Sequence, residues 1–232
     1  IKPIINGEAI YDNNGKQSCT VNNPLYGELR ARQAAFNSLL SGSVGFTHGV
    51  GGIWDWGGTA TCRSVADGTN AESSTQIGRL KLLLQPFRWN RLLPDCQTPG
   101  SACTDIKNAD QATVSQELKR MFARDSLGTF AFGFLPDNQG APYEASLKLD
   151  LSDLAGFTPA APWSTDWYNP RRAVSAGGPC YCTATAAASG ANWNFVRPAA
   201  GDWGLVIRNK TNWPNLAVPA CNPPDVNGKI PC

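Results

Sequence analysis

No apolar run in these 232 residues approaches the roughly 18 needed to cross a bilayer as a helix, so a transmembrane helix is excluded. Charge is scarce: Asp, Glu, Lys and Arg make up 16% of the chain, against about 25% in ordinary globular proteins. The 20 basic residues are balanced by 18 acidic ones, and a net charge of +2 leaves no electrostatic footprint for nucleic acid. There is one histidine, His48, far in sequence from Cys180-Tyr181-Cys182, whose C-x-C spacing is not that of the usual zinc sites. No metal or other cofactor is therefore expected. The glycines near residue 50 lack the Lys-Ser/Thr ending of a phosphate-cradling loop, and no Ser-His-Asp arrangement stands out. Disorder is excluded too, because 42% of the residues are apolar.

What the chain has in quantity is cysteine (8), tryptophan (8), glycine (23) and proline (17). Eight cysteines fit an oxidising compartment, and the expectation is a secreted, extracellular or periplasmic protein with disulfides. Cys96/Cys103 and Cys221/Cys232 are spaced for short local loops, and the pairing of Cys19, Cys62, Cys180 and Cys182 is left open. Asn209-Lys210-Thr211 fits a glycosylation sequon. The start, Ile1-Lys2-Pro3-Ile4-Ile5, reads as a strand without a preceding cap or loop. The expectation is that more chain precedes it in a larger fold.

Residues 1–95 read as two strand–helix units. A strand from Lys2 to Ile5 closes at the Asn6-Gly7 turn signal. Asn23 reads as the N-cap and Pro24 as the first residue of a helix carrying Leu25, Leu29, Phe36 and Leu40, stopped by Gly42. A short strand, Ser43 to Thr47, and a Gly/Trp loop from His48 to Gly58 follow. Ser73-x-x-Gln76 reads as a capping box for a helix with Ile77, Leu80 and Leu84, ended by Pro86. Strand alternating with helix predicts a parallel sheet. Residues 96–118 read as a linker, with 111–124 ambiguous between helix and strand. From 119 to 232 the period is two, in Phe130/Phe132/Phe134, Leu147/Leu149/Leu151, Trp193 to Val196 and Trp203 to Ile207. That pattern predicts an antiparallel β-sandwich. Trp163, Trp167, Tyr168 and Asn169-Pro170-Arg171-Arg172 read either as a binding face or as a strand ending in a turn over an aromatic core.

Two clusters could carry chemistry. Glu8, with Tyr11 and Asp12 beside it, comes just past the end of a strand, where catalytic side chains project in α/β folds. A carboxylate there suits glycoside chemistry, which needs one carboxylate at the anomeric carbon and a second to protonate the leaving oxygen. The alternative is a solvated loop glutamate. The second cluster is His48 to Gly58, where Trp54 and Trp56 could lay flat faces on sugar rings or instead close the end of a core. His48 could hydrogen-bond a sugar hydroxyl or serve structure alone.

The segments Lys2 to Tyr11, Arg30 to Gly49, and Gly52-Ile53-Trp54 resemble the last two βα units of the apiosidase-like glycoside hydrolases, and Leu92-Leu93-Pro94-Asp95 is similar to the end of their barrel. Phe130 to Pro136, Trp167 to Arg171 and Gly201 to Ile207 resemble the collagen-binding-type β domain that follows it. The resemblance implies an α/β plus all-β fold: the last two βα units of a (β/α)8 barrel, residues 1–95, followed by an antiparallel β-sandwich, residues 119–232. It implies that Glu8 is the nucleophile at the end of the seventh barrel strand, with the acid/base on an earlier strand in an N-terminal part outside this chain. Tyr11, His48 and Trp54 would line the sugar pocket, with Trp56 and Asp55 beside them. The family more often has an aromatic residue where His48 stands. The implied partners are a polysaccharide or oligosaccharide substrate, pentofuranose-containing or related, and an N-terminal companion chain or a second copy. Two other functions fit the composition: a non-catalytic carbohydrate-binding or adhesion module, and an extracellular filament-forming protein.

Overall fold

The computed structural model describes residues 3–7, 27–54, 56–57, 64–87, 89–95, 119–137, 146–173 and 179–213. Strand β1 (Ile5–Asn6) is followed by helix α1 (Glu28–Leu40) and strand β2 (Gly45–Phe46). β1 and β2 pair in parallel, Ile5 opposite Gly45 and Asn6 opposite Phe46, as a strand–helix–strand unit requires. The described part of α1 starts at Glu28; Asn23 and Pro24, expected to cap and open the helix, lie outside the described residues. Its N-cap is Gly27 in extended conformation, whose carbonyl accepts from the N–H groups of Arg30 and Ala31 at 3.1 and 3.2 Å. Glu28 then puts a carboxylate in the first turn, where the helix dipole favours it. The other end matches expectation. Gly42, at φ +94°, donates to Leu39 O at 3.2 Å while Ser43 donates to Ser38 O at 3.0 Å, a Schellman closure that needs the left-handed conformation glycine adopts freely.

Helices α2 (Val65–Thr69) and α3 (Glu72–Leu84) come next. The capping box belongs to α2: Ser64 Oγ accepts from Asp67 N at 3.1 Å, and an Asp67 carboxylate oxygen accepts from Ser64 N at 3.0 Å. The box expected at Ser73-x-x-Gln76 does not form. α3 has Ala71 as N-cap with no side-chain bond, and both Ser73 and Gln76 lie inside the helix with their side chains on other partners. α3 ends at Leu84, two residues before Pro86, which cannot continue a helix.

A short 3-10 turn (Trp89–Arg91) leads into β3 (Leu92–Pro94), and the rest of the described chain is strand: β4 (Met121–Asp125), β5 (Phe130–Leu135), β6 (Ser146–Leu149), β7 (Trp163–Ala173), β8 (Pro179–Thr183), β9 (Ala186–Ser189), β10 (Asn192–Val196) and β11 (Trp203–Asn209). They form a six-stranded sheet, in the order β3-β4-β5-β11-β7-β8, and a three-stranded sheet, β6-β10-β9, every pair antiparallel. The described fold is thus an α/β beginning with few helices, continuing into antiparallel β structure.

Period-two alternation gives the six-stranded sheet two buried faces. One face sends Phe122, Leu135, Trp167, Trp203, Leu205 and Ile207 into a core shared with Leu147, Leu149 and Phe195 of the smaller sheet. The other sends Phe130, Phe132, Phe134, Tyr168 and Val206 against Phe36 and Leu40 of α1 and Leu80, Leu83 and Leu84 of α3. Phe36 stacks on Phe134 with ring centroids 4.2 Å apart. The helices before residue 95 and the strands after residue 119 therefore share a core, and β3 is the edge strand of the larger sheet.

β7 overturns one expectation. Asn169-Pro170-Arg171-Arg172 is not a terminal turn, because the strand runs through it to Ala173. The pairing with β8 is irregular between Asn169 and Ala173, and a bulge is where a strand tolerates a proline that cannot donate to the ladder. Trp163, Trp167 and Tyr168 are buried and form no binding face. Cys180 and Cys182 are buried on β8 and neither is a free thiol; no disulfide pairing falls within the described residues, and Cys19, Cys62, Cys96, Cys103, Cys221 and Cys232 lie outside them. No helix among the described residues is long and apolar enough to cross a membrane.

Candidate functional site

The C-terminal ends of β1 and β2 lie side by side. Val44 N donates to Ile4 O at 2.8 Å and Thr47 N to Asn6 O at 3.0 Å, carrying the parallel ladder one residue beyond each strand. Thr47 Oγ1 also donates to the carbonyl of Gly7. From below, Asn6 Nδ2 donates to Ser38 Oγ of α1 at 2.7 Å, and that hydroxyl donates to Ala34 O at 2.7 Å. Two strand ends and the connecting helix are thus tied together by side-chain bonds. The residues next in sequence are the expected site residues, Glu8 after Gly7 and His48 after Thr47.

His48 is half-buried. Its ring stacks on Phe46 of β2, with centroids 6.5 Å apart and planes within 17°. Its Nε2 lies 3.1 Å from Oγ of Ser73, a fully buried residue in the first turn of α3. Beyond His48 the chain makes successive turns: Ile53 N and Trp54 N bond to Val50 O, Trp56 N to Ile53 O, and Gly57 N to Gly52 O at 2.9 Å. Gly68 of α2 holds this loop from behind. A Cβ on it would stand 2.8 Å from both Gly51 O and a side-chain carbon of Ile53, so only glycine permits the approach. Trp54 and Trp56 do not close a core. They are 44% and 84% exposed, on the outer side of the loop.

Sequence reasoning missed the polar cluster beneath this site. Arg32 of α1 grips Asp202 with both arms of its guanidinium, Nε to Oδ2 at 2.8 Å and Nη2 to Oδ1 at 3.0 Å, and its Nη1 donates to Gln76 Oε1 of α3. Arg171 of β7 stands 3.7 Å from the same aspartate. Burial works against the charge on Arg32, but Asp202 and Glu28 outweigh it and hold the guanidinium above its ordinary range. On Arg171 burial prevails over Asp202 and lowers it. Nothing in the sequence signals a pair 170 residues apart. Ser73 left a trace, since a serine in the first turn of an apolar helix invites a role, but its partner was invisible.

The described part of the site is a parallel strand pair with His48 just past the end of β2 and two exposed tryptophans in the loop that follows. Residues 1–91 match the apiosidase-like catalytic domain. The resemblance seen in the sequence therefore holds over those residues, and the match suggests a glycoside hydrolase-related family. The apiosidase-like match ends with the 3-10 turn before β3. It gives no support to a collagen-binding assignment for the strands that follow. No curated protein matches the chain. Of the expected site residues in the apiosidase-like segment, His48, Trp54 and Trp56 are described and share one stretch after β2, while Glu8, Tyr11 and Asp55 lie outside the described residues. Among the described residues, no group of three or more His, Cys, Asp or Glu is placed to hold a metal ion.

Proposed function

We propose that this chain carries the nucleophile-bearing part of a secreted retaining glycoside hydrolase acting on polysaccharides that contain pentofuranose or a related sugar. The observation that carries the reading is the bonded pair of strand ends: Gly7, which precedes Glu8, is joined through its carbonyl to Thr47, which precedes His48. In α/β enzymes the carboxyl ends of parallel strands are where reacting groups gather. In this mechanism Glu8 attacks the anomeric carbon, the bond to the leaving oxygen breaks, and a glycosyl ester forms on its carboxylate. A second carboxylic acid, on an earlier barrel strand outside this chain, protonates the leaving oxygen. It then takes a proton from the water that cleaves the ester, at a separation from Glu8 of about 5–5.5 Å. His48 hydrogen-bonds a sugar hydroxyl, Tyr11 and Asp55 contact the same ring, and Trp54 and Trp56 stack on neighbouring sugars.

The test uses the full-length natural protein and a panel of aryl pentofuranosides. Wild type should release product with retained configuration, read by proton NMR, and a 2-fluoro glycoside should leave its mass on the peptide containing Glu8. Glu8→Gln should lower kcat by about a thousandfold or more, the scale for losing an essential covalent group. Undiminished hydrolysis by that variant rules out the nucleophile. Oligosaccharide binding without any turnover by wild type would move the protein to the carbohydrate-binding reading, for which the exposed Trp54 and Trp56 suffice.

A further inference from the structure

Asn209-Lys210-Thr211 is the sole Asn-x-Ser/Thr triplet in the 232 residues, and its middle residue is not proline. It lies where β11 ends in a turn, with Lys210 and Thr211 exposed and Asn209 half-buried. The turn is pinned to its neighbours. Asn209 N donates to Thr129 O at 2.9 Å, Lys210 N to Pro162 O at 2.8 Å, and Trp213 Nε1 to Thr129 Oγ1 at 3.1 Å. Within the turn, Asn209 O accepts from the N–H groups of Asn212 and Trp213. Asn209 Oδ1 accepts from Thr211 N at 3.0 Å, which closes an Asx turn and brings residue 211 back to the carboxamide of residue 209. That carboxamide is held by its oxygen: Nδ2 donates to no described residue.

We propose that Asn209 carries an N-linked glycan, an inference that rests on the reading of the protein as secreted. The co-reactant is an oligosaccharide joined through its reducing-end sugar to a lipid pyrophosphate, delivered by the transferase that reads the triplet. Nδ2 bonds to the anomeric carbon of that sugar, and the bond from the same carbon to the pyrophosphate oxygen breaks. The lipid pyrophosphate leaves, one amide proton goes to a base, and nothing is oxidised or reduced. The hydrogen bonds of the turn survive the change. Oδ1 goes on accepting from Thr211 N, and the nitrogen that takes the sugar had no bond to lose. The glycan is rooted away from the candidate site. β11 starts at Trp203, next to the Asp202 that binds Arg32, and Asn209 lies six residues on, about 20 Å along an extended strand. Trp213 of the same turn packs on Phe87 and Phe130, with ring centroids 5.6 and 5.7 Å away, at the far end of the core shared by α3 and the large sheet.

The test takes the full-length natural protein from two preparations, one secreted by a eukaryotic expression host and one isolated from the natural source. The peptide containing Asn209 is followed by mass spectrometry before and after peptide-N-glycosidase in heavy-oxygen water, which leaves a heavy aspartate wherever a glycan stood. Each preparation should carry that tag at residue 209. Asn209→Gln and Thr211→Val from the expression host should lack it, with kcat/KM on aryl pentofuranosides within about twofold of wild type, the usual reach of a surface substitution. A bare Asn209 in the host-secreted wild type overturns the proposal, whatever compartment the natural protein occupies and even if no variant folds. A tag that survives Thr211→Val marks spontaneous deamidation and overturns it too. A bare Asn209 in natural protein recovered outside the cells overturns the proposal alone, and one in natural protein recovered inside them overturns the secreted reading with it. A glycan at Asn209 in a protein with no glycosidase activity upholds the proposal and counts against the glycosidase reading alone.

Discussion

Trp56 sits at φ +53°, a left-handed conformation that costs a non-glycine residue about 1–2 kcal/mol, and it leaves 84% of its surface in water. Folding gains little from such a residue, which suits the sugar-stacking role proposed for it. Trp56→Gly should raise stability by about 1 kcal/mol, read as a higher Tm, while lowering oligosaccharide affinity several-fold by calorimetry. Equal affinity in the two proteins would remove Trp56 from the site. At this scale the sequence was informative where chemistry is local. The tryptophan pair and His48 stood out because they share a glycine-rich stretch after a strand. Ser73 was misread because a serine three residues before a glutamine is also how a cap is written, and only the third dimension shows that its hydroxyl faces a histidine 25 residues earlier.

The elements show the same division. The β strands were legible because alternation depends only on near neighbours: Phe130, Phe132 and Phe134 face the helices while Ala131 and Leu135 face the smaller sheet, as period two demands. The long run of β7 through Pro170 was not legible, since a proline inside a strand is tolerated only with a bulge that depends on its partner β8. Nor was the seating of α1, which turns on Phe36 and on the Arg32–Asp202 pair. Phe36→Ala removes a ring stacked within the aromatic layer and should cost about 3–5 kcal/mol in urea unfolding. Asp202→Ala leaves Arg32 buried without its carboxylate and should cost about as much, 3–5 kcal/mol. Asp202→Ala should also weaken Ser73's grip on His48, because the anchor of α3 goes with it. A loss below about 1 kcal/mol in either variant would mean that α1 is held by other contacts.

For the molecule as a whole, the helical segment and the large sheet form one stability unit. Residues 119–232 expressed alone should expose Phe130, Phe132, Phe134, Tyr168 and Val206 and bind a hydrophobic dye strongly, whereas the full chain should not. A monomeric, dye-silent fragment would show that the sheet can do without the helices. The alkaline limit lies in the same interface. Burial pushes the phenols of Tyr168 and Tyr181 well above the ordinary tyrosine range, so both stay neutral in the native state. Unfolded tyrosines ionise near pH 10, so the unfolded state gains where the native state cannot. Stability present below about pH 10 should fall as pH rises past it, and absorbance at 295 nm should show these two phenols ionising only with unfolding.

The strand order carries a consequence in time. β11, the last strand described, lies between β5 and β7 at the centre of the large sheet, pairing with both. A ribosome releasing this chain has already delivered β4, β5 and β7 when the central strand is still inside it, and the two halves of the sheet must wait with their facing edges unpaired. Contacts of such sequence separation make folding slow, and open strand edges invite pairing with the wrong chain. The hazard is therefore greatest just before β11 emerges, and a stop codon before residue 203 would leave a sheet with its middle missing.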